Sequence, residues 1–342
     1  MNRREFAKTG LALGLSTLAA PSIVRAQTLT PVKFSIDFNF QGNHSVFALG
    51  VQSGHYAKQG LDVKMDRGYG SGDTVVKIGA GAYDIGFADL NAAVIFNAAN
   101  PDKRVVAVYQ GFDRTLGSII TLKKSGITKP SDLNGKTMGA PEADAGRILF
   151  PLFAQKNGVD TMKVNWKSIA PNLRETILVQ GQVDAITGFI TTSLFNLIAA
   201  GVPREDIVTL PYAQYGLDLY GNAVIVREDF LKAHPDVVGA FVRGTIAGTK
   251  EAIADRAKAM ESLKTYDPLF NTKLEGERFQ LALDLAILTP YVKQNGFGSV
   301  DRSRIELTIA ANAQAYMLAN PPKPEELYTT KFLPPQAERM PA

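Results

Sequence analysis

The chain contains no cysteine, one tryptophan and three histidines among 342 residues. Without thiols there are no disulfides and no lipoprotein signal, although an oxidising compartment is still permitted. The histidines (His44, His55 and His234) do not fall at metal-ligand spacing such as His-x-x-x-His. Glycines at 68, 70 and 72 form only a loose phosphate-type loop, because no Gly-Lys-Ser/Thr follows, and there is no Gly-x-Ser-x-Gly elbow. No apolar run reaches the roughly 20 residues that span a bilayer. Low-complexity tracts and fixed-period repeats are missing too. These absences argue against nucleotide hydrolysis, serine-elbow hydrolysis, metal chemistry and membrane insertion.

The amino end carries an address. Asn2-Arg3-Arg4-Glu5-Phe6-Ala7-Lys8 is a twin-arginine pattern, the run Leu11–Ala20 is mildly apolar, and Val24-Arg25-Ala26 offers small residues for processing. The expectation is an export signal over residues 1–26 and a protein delivered to the bacterial periplasm. Removing that segment also changes the charge. The whole chain has 37 Lys+Arg against 33 Asp+Glu. The signal takes four of the former and one of the latter, so the remainder is almost neutral. No Lys/Arg run interleaved with aromatics survives, so nucleic acid and anionic membrane are poor partners.

The remaining length exceeds the roughly 250–300 residues at which a single core stops growing, which favours two domains. From Val32 onward, strands alternate with helices, and each strand ends in a polar turn. Val32–Phe38 runs into Asn39–His44, Leu61–Met65 into Gly68–Thr74, and Tyr83–Ala88 into Asp89-Leu90-Asn91. Arg104–Tyr109 is a fourth strand, followed by a polar bridge and the apolar strand Ser118–Leu122. A second series follows: Lys136–Ala140, helix Gly146–Asn157, Val164–Ser168, Asp184–Phe189, then a helix capped by Thr191 or Thr192. Leu219–Val226 reads as a returning strand that partners the earlier crossing strand. Helices are expected at Pro235–Ala254, Met260–Lys264, Leu274–Tyr291 and Arg302–Leu318. The proline-rich tail Pro321–Ala342 is expected to wrap the surface without regular structure. The fold class is α/β, with one lobe (27–113 and 219–342) interrupted by another (114–218) and two crossing segments as a hinge. In mainly parallel sheets the turns after the strands gather at the carboxyl edge, where ligands bind.

Several segments resemble a known family in the order in which it carries them. They are Gly54-His55-Tyr56-Ala57-Lys58-Gln59-Gly60-Leu61-Asp62-Val63, Gly70-Ser71-Gly72-Asp73, and Gly81-Ala82-Tyr83-Asp84-Ile85-Gly86-Phe87-Ala88-Asp89. Ser131–Lys136, Gly181–Ala185 and Phe230–Asp236 continue the series. Together they resemble the periplasmic solute-binding proteins of ABC importers, in the branch serving sulfonates, nitrate, taurine and thiamine-pyrimidine precursors. The resemblance implies the two-lobed type II periplasmic-binding-protein fold, a small-molecule solute, an ABC permease as partner, a monomer and no cofactor. A ligand-sensing module for a membrane receptor is the alternative. A related eukaryotic group on this fold makes a thiamine pyrimidine with an active-site histidine, a lysine-held cofactor and a cysteine-rich segment. The lack of cysteine here speaks for binding without catalysis.

Candidate ligand contacts are the residues in the cleft turns. Asp37, Asp73, Asp89, Glu142 and Asp144 are acidic, and of these Asp73, Asp89 and Asp144 also stand where they could simply cap helices. Ser71 and Gly72 open a helix, and several helix amino ends facing one cleft would favour anions such as sulfonate or nitrate. Phe38, Tyr109, Phe189 and Tyr215 supply planar surfaces, each of which could equally be core. Aromatics with carboxylates suit a flat ligand bearing N–H donors, such as an aminopyrimidine. The resemblance adds Asn39, Asn43 and His44, which stand where pyrimidine-binding relatives carry an Asn-His step. The Trp-Pro usual before that step is absent, with Phe38 and Phe40 nearest. His55 and His234 are expected at the surface.

Overall fold

The computed structural model describes residues 28–341, so the expected export signal lies outside the described residues. The strands come in the order β1 (Thr30–Ser35), β2 (Leu61–Asp66), β3 (Ile85–Asp89) and β4 (Val105–Gln110). Next are β5 (Gly117–Leu122), β6 (Thr137–Ala140), β7 (Asn165–Ser168), β8 (Ala185–Phe189) and β9 (Ile207–Pro211). The last is β10 (Asn222–Arg227). They form two five-stranded sheets, ordered β2-β1-β3-β10-β4 and β7-β6-β8-β5-β9. In each sheet four strands run in one direction, and β10 or β5 lies antiparallel between the third and the last. One topological pattern is thus used twice, and it is that of the type II periplasmic binding proteins.

Helices follow the parallel strands. α1 (Ser45–Gln52), α2 (Ser71–Gly79) and α3 (Leu90–Ala99) come after β1, β2 and β3. α4 (Ala145–Lys156), α5 (Arg174–Val179) and α6 (Ile190–Ala199) come after β6, β7 and β8. Past β10 the chain is helical: α7 (Pro235–Ala254), α8 (Arg256–Leu263), α9 (Thr272–Ala282) and α10 (Arg302–Tyr316). No helix among the described residues is long and apolar enough to cross a membrane.

Strand alternation builds the first core. Val32 and Phe34 of β1 point inward while Lys33 faces water. Phe34 meets Phe47 of α1 and Phe241 of α7 edge-on, with ring centroids 4.9 and 5.0 Å apart. Such ring pairs contribute about 0.5–1.5 kcal/mol beyond their buried area. Phe189, Ile190, Leu194 and Phe195, from the end of β8 and from α6, pack into this same cluster. The second sheet has its own core around Leu149, Phe150, Phe153 and Tyr212.

Four sequence expectations need correction. The returning strand β10 pairs with β3 and β4, not with the crossing strand β5, whose neighbours are β8 and β9. The expected helix Leu274–Tyr291 is broken: α9 ends at Ala282, a π-type turn spans Leu283–Ile287, and a new helix starts at Pro290. Pro290 forces this, because it disfavours a helical residue before it, and Thr289 caps the new start. The tail is more ordered than expected, with a short helix at Pro324–Leu327, a buried Leu327 and a bridge from Tyr328 to Ala107. Finally, Phe189 holds the cap position of α6, which places Thr191 and Thr192 inside its first turn.

Candidate functional site

The carboxyl edges of the two sheets face each other. Between them lies a cavity of about 20 Å³ lined by Asp37, Phe38, Gly70 and Ser71 from the first half and Asp144, Ala145, Arg174, Phe189 and Thr192 from the second. That volume suits one or two waters; a ring-sized solute enters only if the walls separate.

Asp37 follows β1 by two residues and is oriented by His44. The His44 Nδ1 accepts the Gln41 backbone N–H at 3.1 Å, which leaves the proton on Nε2 to be donated to Asp37 Oδ1 at 2.8 Å. Asp37 Oδ2 has no hydrogen bond to any described residue, so one carboxylate oxygen remains for a donor in the cleft. Phe38 lies beside it, with the Arg174 guanidinium carbon 5.7 Å from its ring centroid.

Arg174 starts α5 and is 1% exposed. Its Nη1 donates to Asp144 Oδ2 at 2.8 Å and its Nε to Glu175 Oε1 at 3.0 Å, and Ser193 Oγ donates to the same Glu175 oxygen. Burial, the largest influence, works against the guanidinium charge, but Glu175 and Asp144 outweigh it and hold its pKa above the usual value. Asp144 caps α4 by accepting the Arg147 N–H at 3.1 Å. Burial pushes its carboxyl up, and Arg174 pulls it back. The arginine in the described lining is therefore ion-paired with two carboxylates, although its Nη2 makes no hydrogen bond.

Asp89 caps α3, its Oδ1 accepting from Asn91 N at 2.9 Å and Asn91 Nδ2 at 2.8 Å. Its Oδ2 is buried without a partner. Burial pushes this carboxyl up to about 7, with Asp37 adding to the rise and the Asn91 bonds opposing it. The residue sits behind the lining, not in it.

The sequence-derived candidates therefore separate. Asp37, Phe38, Ser71, Asp144 and Phe189 line one cavity, and His44 supports Asp37 from behind. Ser71 does not cap α2: Gly70 occupies that position and the Ser71 Oγ has no partner. Gly72 donates its N–H to Ala143 O of the opposite half at 3.1 Å. Asn39 and Asn43 each hold an unpartnered Oδ1 but do not line the cavity.

Four candidates lie elsewhere. Asp73 pairs with Lys77 one helical turn on, at 2.7 Å. Glu142 accepts from Ser168 Oγ at 2.9 Å on the surface. Tyr109 is buried in the first core, where burial pushes its hydroxyl up to about 12. Tyr215 packs edge-on against Phe153 in the second core, centroids 5.9 Å apart. For both tyrosines an inward strand or turn position wins over the cleft.

Arg174 and Thr192 do not stand out in the sequence as cleft residues, whereas Gly70 and Gln41 fall within the polar turns read there. The doubled topology could have found Arg174, since it opens the helix after β7 as Ser71 opens the helix after β2. At Gly70 (φ +128°) a Cβ would stand 2.6 Å from Ala143 O, so a bare backbone is what lets the halves approach.

Known proteins share this organisation. The chain is 22% identical over 286 residues to the formylaminopyrimidine-binding protein of Halalkalibacterium halodurans, covering 83% of this chain and 85% of that one. It is 23% identical to the 4-amino-5-hydroxymethyl-2-methylpyrimidine phosphate synthase of Aspergillus parasiticus, covering 79% and 84%. Among solved structures, the alkanesulfonate-binding protein SsuA of Xanthomonas axonopodis pv. citri, bound to MOPS, superposes with a TM-score of 0.68 at 16% identity, over 87% of this chain and 96% of that one. Residues 41–259 match the family model described as NMT1/THI5 like, and with well over half its length inside that match the chain belongs to the NMT1/THI5-like family.

Proposed function

We propose that the chain is the solute-binding component of an ABC importer, exported to the periplasm by the twin-arginine route. Its two lobes, 27–113 with 219–342 and 114–218, close on a flat nitrogen heterocycle of the aminopyrimidine kind and present it to a membrane permease. The observation that carries this reading is the division of labour in the cleft. Asp37 offers a carboxylate oxygen fixed by His44, Phe38 and Phe189 offer apolar rings, and the charge of the lining arginine is paired with Asp144 and Glu175. An N–H donor edge on a planar ring satisfies such a wall, whereas a sulfonate or nitrate meets the Asp37 carboxylate beside an arginine whose charge is already paired. The pyrimidine named for one relative supports the same chemistry.

Binding without turnover is the favoured mode. Both nitrogens of His44 are engaged, and no lysine lines the cavity among the described residues. Binding energy then drives closure, and the permease distinguishes loaded from empty protein by lobe geometry.

The test is a thermal-shift screen of aminopyrimidines, alkanesulfonates and nitrate, followed by titration of the Asp37→Ala variant. An aminopyrimidine is expected to raise the melting temperature, since a solute bound only by folded protein stabilises it. The variant is expected to lose affinity by about tenfold or more, the worth of one charge-assisted hydrogen bond. Stabilisation by sulfonates alone, or unchanged affinity in Asp37→Ala, defeats the ligand assignment.

A further inference from the structure

The two halves are bridged by a buried arginine that hydrogen-bonds no cavity-lining residue but Thr192. Arg278 on α9 is 2% exposed. Within its own half it pairs with Glu275, Nε to Oε2 at 2.6 Å and Nη2 to Oε1 at 2.9 Å. Across the gap its Nη1 donates to the backbone oxygens of Thr191 and of Thr192, the latter at 2.9 Å, and its Nη2 donates to Asn196 Oδ1 at 3.1 Å. All five guanidinium hydrogens have acceptors. The guanidinium carbon also lies 5.4 Å from the Phe195 ring centroid. Every one of these second-half partners is on α6.

Glu275 links this arginine to the solute wall. Its Oε2 accepts the Gly42 N–H at 2.8 Å. Gly42 stands between Gln41 and His44, the residues that orient Asp37, and Gln41 Oε1 accepts the Thr192 hydroxyl at 2.9 Å. A continuous chain of hydrogen bonds therefore runs from Asp37 through His44 and Gln41 to Thr192, with Glu275 and Arg278 closing the circuit through Gly42.

We propose that Arg278 is the closure clamp of the protein: a positioning residue that holds the first turn of α6 against the Gln41–His44 loop and keeps the two halves together, with a bound solute adding to a closure the clamp already favours. The proposal rests on the solute-binding reading for its purpose, but not for its test. Charge-assisted hydrogen bonds in a water-poor site are the strong ones, and a planar fork can serve a carboxylate and two carbonyls at once. When the halves part, the pair with Glu275 stays with the first half and the three bonds to α6 are lost. Arg278→Lys keeps the charge but has only three donors on one atom, which cannot span Glu275, two carbonyls and Asn196 together.

The chain's lack of cysteine makes the test direct. Leu269→Cys and Met162→Cys, at positions 93% and 90% exposed in the first and second halves, accept two spin labels without competing thiols. Inter-label distances are then measured by pulsed electron–electron resonance on the full chain without added solute. In the otherwise unchanged chain the short-distance population is expected to dominate. Arg278→Ala should raise the ratio of long to short distances at least tenfold, and Arg278→Lys severalfold, while Arg302→Ala, which breaks the surface pairs to Glu306 and Glu325, should leave it as it was. Because Arg278→Ala strands Glu275, Arg278→Lys decides the matter if the alanine variant fails to fold. A long-distance population dominating the unchanged chain, or Arg278→Lys distances superimposing on it, overturns the clamp. A failed solute screen would instead overturn the binding role and leave the clamp standing.

Discussion

Single residues carry properties that no local pattern reveals, and Asp89 shows how. Its backbone position at the end of β3 is readable as a helix cap, and it is one. What no local pattern reveals is that its second oxygen is sealed without a donor, which depends on strands and helices far away in the chain. The carboxyl ordinarily titrates near 3.8 and here is raised to about 7. Between those values the folded chain keeps a proton that the unfolded chain has released. Stability therefore falls as pH rises from about 4 towards 7, and this loss is absent below the unfolded value. Urea denaturation of the parent at pH 5 and pH 8 should differ by a few kcal/mol from this group, on the scale of about 1.4 kcal/mol for each tenfold change in proton affinity. Asp89→Asn keeps a capping oxygen but cannot ionise, so its two curves should lie closer together. An undiminished difference in the variant would mean that another group carries the pH dependence. Arg174 shows the same limit: at a short helix start nothing local distinguishes a surface arginine from one buried against Asp144, thirty positions earlier.

Elements are legible where the local pattern and the tertiary environment agree. Pro235 at the first turn and twenty residues of helical periodicity place α7 at Pro235–Ala254, as read from the sequence. The edge strand β9 is not legible: most of Ile207–Pro211 is half-exposed, and the strand exists because β5 offers it a hydrogen-bonding edge. The partner of β10 escapes the sequence for a related reason, since an apolar strand does not encode which sheet it joins. Helix α4 joins element to site. Asp144 at its start both accepts the Arg147 N–H and neutralises Arg174. Asp144→Ala should cost roughly 3–5 kcal/mol, because a lost cap is worth about 0.5–2 and a buried charge short of one partner makes up the rest. Chemical denaturation with an unchanged m-value would measure it. A loss within the roughly 0.5–2 kcal/mol of a cap alone would show that Glu175 suffices for the arginine.

At the scale of the molecule, two sheets of identical topology invite the expectation of two independently melting units, and multi-domain chains commonly unfold in steps. The packing argues otherwise. Phe189, Ile190, Leu194 and Phe195 belong by sequence to the second half and by contact to the first core. Burying one such side chain contributes about 1.5–3 kcal/mol, so separating the halves exposes several side chains' worth of apolar surface. The crossings are polar as well: Gly72 N–H to Ala143 O, Thr192 to Gln41 and the Arg278 set all span the gap. Once α6 leaves the first core, neither half keeps its full complement of partners, and unfolding of one should bring down the other. Scanning calorimetry of the solute-free protein is therefore expected to give a single endotherm whose calorimetric and van't Hoff enthalpies agree. Removing the clamp with Arg278→Lys should broaden that endotherm or split it, because only the apolar contacts of α6 would still couple the halves. Two resolved transitions in the unaltered chain would mean that α6 sits against the first core too weakly to transmit unfolding, and closure would then depend on the solute alone.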